Sequence, residues 1–280
     1  KKMVFTLGSF VLVTVAVAFV SWLKTKGTDE TSKDGYFLGG RSLSGLVIFG
    51  SLMMTNLSAE QLVGRNGQGY AAGMTAMGWE TMCPIALTLM ALFFIPKYFK
   101  LGISTIPEFL ESRFDRATRV IVSFIFLVAY IVTMLPLVLY AGSVAMERIF
   151  GITALMGGNS FMALGIIGGI YAIFGGLKAV AVSDSLNGII FIIGAVILIP
   201  VLAFIALGDG SIAEGIRIFA TSSPEHLNAI QPADAQPPYI PWPMIVLGCG
   251  INHISYWCTN QSIMQRVLGA KNLKEAQKGS

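Results

Sequence analysis

Three stretches of the 280-residue chain place polar or ionisable side chains in apolar surroundings. The first holds Glu80, in Gly78-Trp79-Glu80-Thr81-Met82-Cys83-Pro84. A carboxylate inside a membrane costs on the order of 3 kcal/mol, so it is expected to face an interior or a cavity and to have a function. An ionised carboxylate accepts two hydrogen bonds from the adjacent hydroxyls of a sugar, each stronger than a neutral bond. An amide such as Gln61 can donate as well as accept. The structural alternative pairs Glu80 with Arg65 as a buried ion pair.

The second stretch is Ser51-Leu52-Met53-Met54-Thr55-Asn56-Leu57-Ser58-Ala59-Glu60-Gln61, whose apolar pattern lapses from Thr55 to Gln61. Backbone groups at membrane depth must be satisfied internally, so a lapse is tolerated only against protein or a wet cavity. A helix broken there frees carbonyls that can hold a small cation and turns its half-helix ends toward a solute. In the alternative, Thr55, Asn56 and Ser58 join helices by hydrogen bonds. The third stretch is Asn252-His253-Ile254-Ser255-Tyr256-Trp257-Cys258-Thr259-Asn260-Gln261. Tyr256 and Trp257 offer flat apolar faces with polar tips, suited to the face of a sugar ring. His253 fits a solute contact and a helix–helix hydrogen bond equally.

Catalysis has no such support, because the chain contains no HExxH, no GxSxG and no paired-carboxylate motif. A channel would call for a filter of repeated carbonyls, whereas two different interrupted helices here bracket one polar pocket. Cys83, Cys249 and Cys258 lie in apolar segments without zinc-like spacing and read as free, packed thiols.

The elements that position these residues are membrane helices. Hydrophobic residues make up 54% of the chain and charged residues 12%, with mean hydropathy +0.71. Soluble domains carry about 25% charged residues. Seven spanning segments are expected, over about 3–23, 44–66, 72–98, 117–147, 153–175, 180–207 and 242–266. The first is a leading helix and the next six are core helices one to six. Of the 19 Lys and Arg, 14 fall on one side, among them Lys178 and Arg266, and the positive-inside rule makes that side the cytoplasm. The N-terminus is then outside. The net charge of +4 is thus a topology signal rather than a nucleic-acid footprint. Thr105-Ile106-Pro107-Glu108 reads as a capping box opening a short helix on the inner membrane surface. The Pro-rich stretch 208–241 reads as an external loop carrying a short helix over Ile212–Phe219.

Four segments together resemble the sodium/solute symporter family: Gly35-Tyr36-Phe37-Leu38-Gly39-Gly40-Arg41-Ser42-Leu43, Asn56-Leu57-Ser58-Ala59-Glu60-Gln61, Ile103-Ser104-Thr105-Ile106-Pro107-Glu108-Phe109 and Gly175-Gly176-Leu177-Lys178-Ala179-Val180-Ala181-Val182-Ser183-Asp184. With Glu80 and the closing Asn260-Gln261…Gln265-Arg266…Glu275-Ala276-Gln277-Lys278-Gly279, the chain is most similar to the bacterial sodium/sugar branch, the sodium/galactose type. The resemblance implies an all-α polytopic membrane protein of the LeuT-type inverted-repeat fold. Residues 1–280 would be the N-terminal part of one transporter domain: the leading helix, the first five-helix repeat and the first helix of the second.

The resemblance further implies sodium-coupled uptake of a sugar across a bacterial inner membrane by alternating access. The backbone carbonyls of Met54 and Leu57 would contribute to a sodium site, and Asp184 would mark a sodium exit position, with an ion pair to Lys178 as its structural alternative. Asn56, Gln61, Glu80, Cys83 and His253 would contact the solute. Arg65 and Trp79 would form an outer gate and Tyr256 an inner one. Cys83, Arg65 and His253 replace a Ser, a Met and an Asn of the family pattern, which leaves the sugar open. Arg65 keeps a sialic or other sugar acid in view, and an amino acid behind it.

Overall fold

The computed structural model of the chain describes residues 2–27, 31–151, 160–237 and 239–280. Among them the architecture is helical, with isolated β-bridges but no strand. Helix α1 (Lys2–Thr25) leads, followed by the short α2 (Lys33–Leu38), whose cap Ser32 accepts from the Gly35 amide. Core helix one comes as two pieces, α3 (Gly45–Asn56) and α4 (Ala59–Ala72). Core helix two opens with a 3₁₀ stretch (Gly73–Trp79) and continues through α5 (Cys83–Leu89) and α6 (Ile95–Leu101). The short α7 (Ile106–Arg113) precedes core helix three, α8 (Arg116–Ala129) and α9 (Leu135–Phe150). The next helix, α10 (Ser160–Phe191), kinks at Gly176 (φ 56, ψ 176) and continues into α11 (Ile199–Leu207). After α12 (Ile212–Ser222), core helix six is divided into α13 (Gly250–Thr259) and α14 (Gln261–Leu268), and α15 (Leu273–Gly279) follows.

The sequence explains where the membrane helices deform. Pro96, Pro136 and Pro200 lack an amide donor, and each ring crowds the carbonyl four residues back. The ladder widens just ahead of each: Met90–Phe94, Tyr130–Met134 and Ile192–Leu198 are π turns. The amides of Ile95, Leu135 and Ile199 reach back to Met90, Tyr130 and Gly194.

The expected boundary between core helices four and five falls at the Gly176 kink, and the start of the 153–175 segment lies outside the described residues. The capping box at Thr105 forms with a shift. The Thr105 hydroxyl accepts from the Glu108 amide at 3.3 Å, while Glu108 accepts from the amide of Ser104 at 2.7 Å rather than that of Thr105. The short helix expected over Ile212–Phe219 runs from Ile212 to Ser222, capped by Ser211.

Two small-residue contacts hold core helix one against core helix five. A Cβ on Gly50 would stand 2.7 Å from Ser185 Cα, so only glycine permits this approach of α3 to α10. Ser185 adds a hydrogen bond to the Val47 carbonyl at 3.0 Å. The main core lies where α3, α5, α6, α13 and α14 meet, around Ile48, Leu52, Met90, Ile95, Tyr98, Trp257, Ile263 and Met264. Elsewhere the long helices turn bulky apolar side chains outward, Phe124, Val132 and Leu202 among them. Phe5–Thr25, Ala59–Leu101, Arg116–Phe150 and Gly176–Leu207 are long and apolar enough to cross a bilayer.

Candidate functional site

The break in core helix one falls within the lapse of apolar pattern. Leu57 (φ −87, ψ 96) and Ser58 (φ −99, ψ 167) are extended, and the Ser58 hydroxyl caps α4 by accepting from the Gln61 amide at 3.4 Å. Helix termini leave their last carbonyls without intrahelical partners, so the Asn56 end of α3 presents oxygens to whatever lies beside it. Met54 belongs to that last turn and Leu57 to the break itself.

The break in core helix six falls at Asn260 (φ −71, ψ 126). Its amide oxygen accepts from the Ser262 amide at 2.9 Å, from the Ser262 hydroxyl at 2.7 Å and from the Tyr130 phenol at 3.0 Å. Tyr98 donates to the Cys258 carbonyl, and Gln261 accepts from the Ile106 amide at 2.8 Å. The break is thus held from core helices two and three and from α7.

Beside the break in core helix one, facing α13, lies a cavity of about 180 Å³ lined by Asn56, Gln61, Arg65, Trp79, Glu80, Asn252, His253 and Tyr256, with Thr55, Ser58, Glu60, Met134 and Val138 completing the wall. Glu80 is not inside a helix as its apolar context suggests. It sits in the turn between the 3₁₀ stretch and α5, where Gly73, Gly78 and Pro84 shape the chain, and its side chain is 40% exposed. Arg65 Nη2 donates to Glu80 Oε1 at 3.0 Å, and the guanidinium lies 5.4 Å from the Trp79 ring centre. Trp79 donates its indole hydrogen to Gln68 Oε1 at 3.0 Å. The buried imidazole of His253 donates from Nε2 to the Trp79 carbonyl, leaving Nδ1 with the lone pair. Two buried polar atoms at this site, Arg65 Nη1 and His253 Nδ1, have no hydrogen-bond partner.

Cys83 stands behind the wall rather than on it, against the core and with its sulfur near Glu80 and His253. Asp184 lies elsewhere, beside α3. Ser51 donates to its Oδ2 at 2.8 Å, and its ion-pair partner is Arg266 Nη2 at 3.7 Å. The pairing with Lys178 is therefore replaced by one with a residue of α14. Arg266 is correspondingly a packed side chain that also bonds Ser51 and the Ser262 carbonyl, not a loop cation.

With this geometry in view, a family model for the sodium:solute symporter family matches residues 36–280. The chain belongs to that family. It is 46% identical over 280 residues to the symporter YidK of Escherichia coli, covering 97% of this chain and 48% of YidK. It is 34% identical over 275 residues to the sodium/glucose cotransporter of Vibrio parahaemolyticus, covering 96% of this chain and 50% of that one. Human sodium/myo-inositol cotransporter is 31% identical over 296 residues, covering 97% and 39%. This chain thus spans about half the length of the curated relatives it matches.

A solved structure of a Na⁺-coupled sialic acid symporter, substrate-bound and outward-open, superposes with a TM-score of 0.78 at 23% identity, covering 95% of this chain and 53% of that one. The fold is accordingly the LeuT type, with the first repeat and the opening helix of the second present. The family and these relatives are transporters, not enzymes.

Of the residues singled out in the sequence, Asn56, Gln61, Glu80, Arg65, Trp79, His253 and Tyr256 line this one cavity. Sequence reasoning missed Asn252, Glu60 and the supports Gln68, Tyr98, Tyr130 and Ser51. Asn252 and Glu60 lay inside polar runs already noticed and could have been read there. Tyr98 and Tyr130 bond partners 160 and 130 residues away, which no local pattern signals.

Proposed function

We propose that the chain is the N-terminal half of a secondary transporter that imports an uncharged polyhydroxylated solute, a sugar in kind, by coupling it to sodium entry. The observation that carries this reading is the state of Arg65. Its charge is matched by Glu80 at 3.0 Å, with Glu60 also on the cavity wall, so the site has no spare positive charge for an acid. A carboxylate solute would gain Arg65 and meet two carboxylates. Two residues of the cavity wall keep a buried polar atom without a partner, a donor at Arg65 Nη1 and an acceptor at His253 Nδ1, and a hydroxyl, donor and acceptor at once, suits such a mixed wall better than a carboxylate, which only accepts. The glucose and myo-inositol named for two relatives are neutral polyols.

In this reading Asn56, Gln61, Glu80 and His253 contact the solute, Cys83 backs them, Arg65 and Trp79 close the outer side and Tyr256 the inner. Sodium sits at the break in core helix one, on carbonyls including those of Met54 and Leu57. By occupying oxygens that the break exposes, it fixes the half-helix that carries Asn56, which raises solute affinity, and by linkage the solute raises sodium affinity equally. Asp184 lies on the inner side and receives sodium on exit. The protein is multi-pass, in a bacterial inner membrane, with its N-terminus outside.

Proteoliposomes of the full-length protein test the reading. Labelled sugar is expected to accumulate only with an inward sodium gradient, and unlabelled neutral sugars are expected to compete better than sialic acid or amino acids. Uptake driven equally by potassium refutes the coupling. Stronger competition by sugar acids refutes the neutral-solute assignment.

A further inference from the structure

We propose that Glu80, Cys83 and His253 form a binding site for a divalent transition-metal cation of zinc-like softness. One donor atom from each residue lies within 4.8 Å of the other two. Glu80 and Cys83 stand three residues apart at the start of α5, while His253 arrives from α13, so the trio is invisible in sequence spacing. Thiolate, imidazole and carboxylate are the set that zinc takes, and tetrahedral zinc holds such donors about 3.5 Å apart. The side chains need close by only about an ångström to reach it.

Independent features fit a ligand here. His253 is 6% exposed, so the surrounding protein fixes its ring beside Glu80. Glu80 uses Oε1 for Arg65, which leaves Oε2, 4.0 Å from His253 Nε2, for a cation. Beside Cys83 lies Trp257, whose buried indole N–H lacks a partner and can donate to a thiolate sulfur. On binding, the thiol releases its proton to solvent and the thiolate takes the metal. When Nε2 ligates, it gives up the Trp79 carbonyl and Nδ1 takes the ring proton. The cavity supplies water for the fourth position.

The site itself stands on geometry; its effect on transport rests on the proposed function. A cation that occupies Glu80 removes an acceptor from the sugar, so metal and sugar compete.

The test titrates full-length detergent-solubilised protein with Co²⁺ alone. A thiolate-to-cobalt charge-transfer band is expected, saturating at one equivalent and removed by Zn²⁺. Cys83→Ser is expected to abolish the band, and His253→Asn to weaken binding tenfold or more. Cys249→Ser and Cys258→Ser are expected to keep it. Absence of the band in folded parent, or its survival in Cys83→Ser, overturns the site. External Zn²⁺ is expected to raise the sugar concentration needed for half-maximal uptake. Cobalt binding without any effect on uptake keeps the metal site and overturns its overlap with the sugar pocket.

Discussion

Tyr98 donates its phenolic hydrogen to the carbonyl oxygen of Cys258, 160 residues away in sequence, at 3.0 Å. Helix α13 stops at Thr259, so the Cys258 carbonyl belongs to its last turn and lacks the next helical amide. A side chain from core helix two replaces that donor. Because Tyr98 is 1% exposed, no water can substitute for it. Tyr98→Phe is expected to lower stability by about 1 kcal/mol, the scale of a membrane hydrogen bond. Thermal unfolding in detergent measures this, and an unchanged midpoint would show that the break is held elsewhere.

The pairing of Glu80 with Arg65 and its proposed contact with the solute can be separated by mutation. Glu80→Gln keeps the shape but gives up a charge-assisted bond worth about 1.5–3 kcal/mol, so sugar affinity is expected to fall by about tenfold or more. If Glu80 served only to neutralise Arg65, the double variant Glu80→Gln with Arg65→Met would restore affinity. The expectation is that it does not, as read by equilibrium sugar binding.

At Asp184 the structure ties a buried carboxylate to Arg266, with side chains 21% and 14% exposed. Removal of the cation alone strands the charge, so Arg266→Met is expected to destabilise by about 3–5 kcal/mol. Asp184→Asn together with Arg266→Met is expected to recover most of that loss. Unfolding midpoints of the three variants give the comparison, and the sodium concentration for half-maximal uptake tests the proposed role of Asp184 in sodium exit.

Tyr256 packs edge-on against Trp257, ring centres 5.4 Å apart, and its own ring reaches the cavity. In its proposed role as inner gate it would act through bulk. Tyr256→Phe is expected to transport nearly as the parent does, while Tyr256→Ala is expected to leak sodium without sugar. Sodium-to-sugar stoichiometry in proteoliposomes decides this, and intact stoichiometry with reduced folded yield would make Tyr256 a packing residue only.

Outside the membrane helices, Asp115 caps α8 by accepting from the Thr118 amide at 2.7 Å, which holds its carboxyl below the usual carboxylate range. A depressed folded pKa adds stability above the unfolded value and loses it as pH falls through the folded one. The protection factor of the Thr118 amide is therefore expected to hold near neutral pH and to fall only in acid. In Asp115→Ala it is expected to be low at every pH.

Much of this was legible locally. The lapse at Thr55–Gln61 and the polar run ending at Gln261 announced both breaks, because a membrane helix cannot carry such residues without a cavity or partner. Thr105 and Glu108 announced α7 because caps act within a single turn. The prolines at 96, 136 and 200 carried the π turns, a signal available but unread. Glu80 was placed inside a helix because apolar neighbours look alike whether the backbone is α or 3₁₀. The Asp184–Arg266 pair was unreadable because it joins elements 82 positions apart, while Lys178, six positions away, offered a nearer charge.

Glu275 Oε2 accepts from the Gly45 amide at the start of α3, and the Leu43 and Lys271 amides bond the Gly269 and Leu43 carbonyls beside it. The N-cap residue Ser44 makes no such side-chain bond. The half-helix thus borrows its cap from a residue 230 positions later. At about 5–20 residues per second, synthesis delivers that cap roughly 10–50 s after the helix itself. Throughout that interval the 12-residue α3 is about 18 Å long, too short to cross the hydrocarbon alone. During biogenesis it must therefore enter the bilayer unfinished, supported by the insertion machinery or its neighbours, and this half-helix is complete only once α15 has left the ribosome.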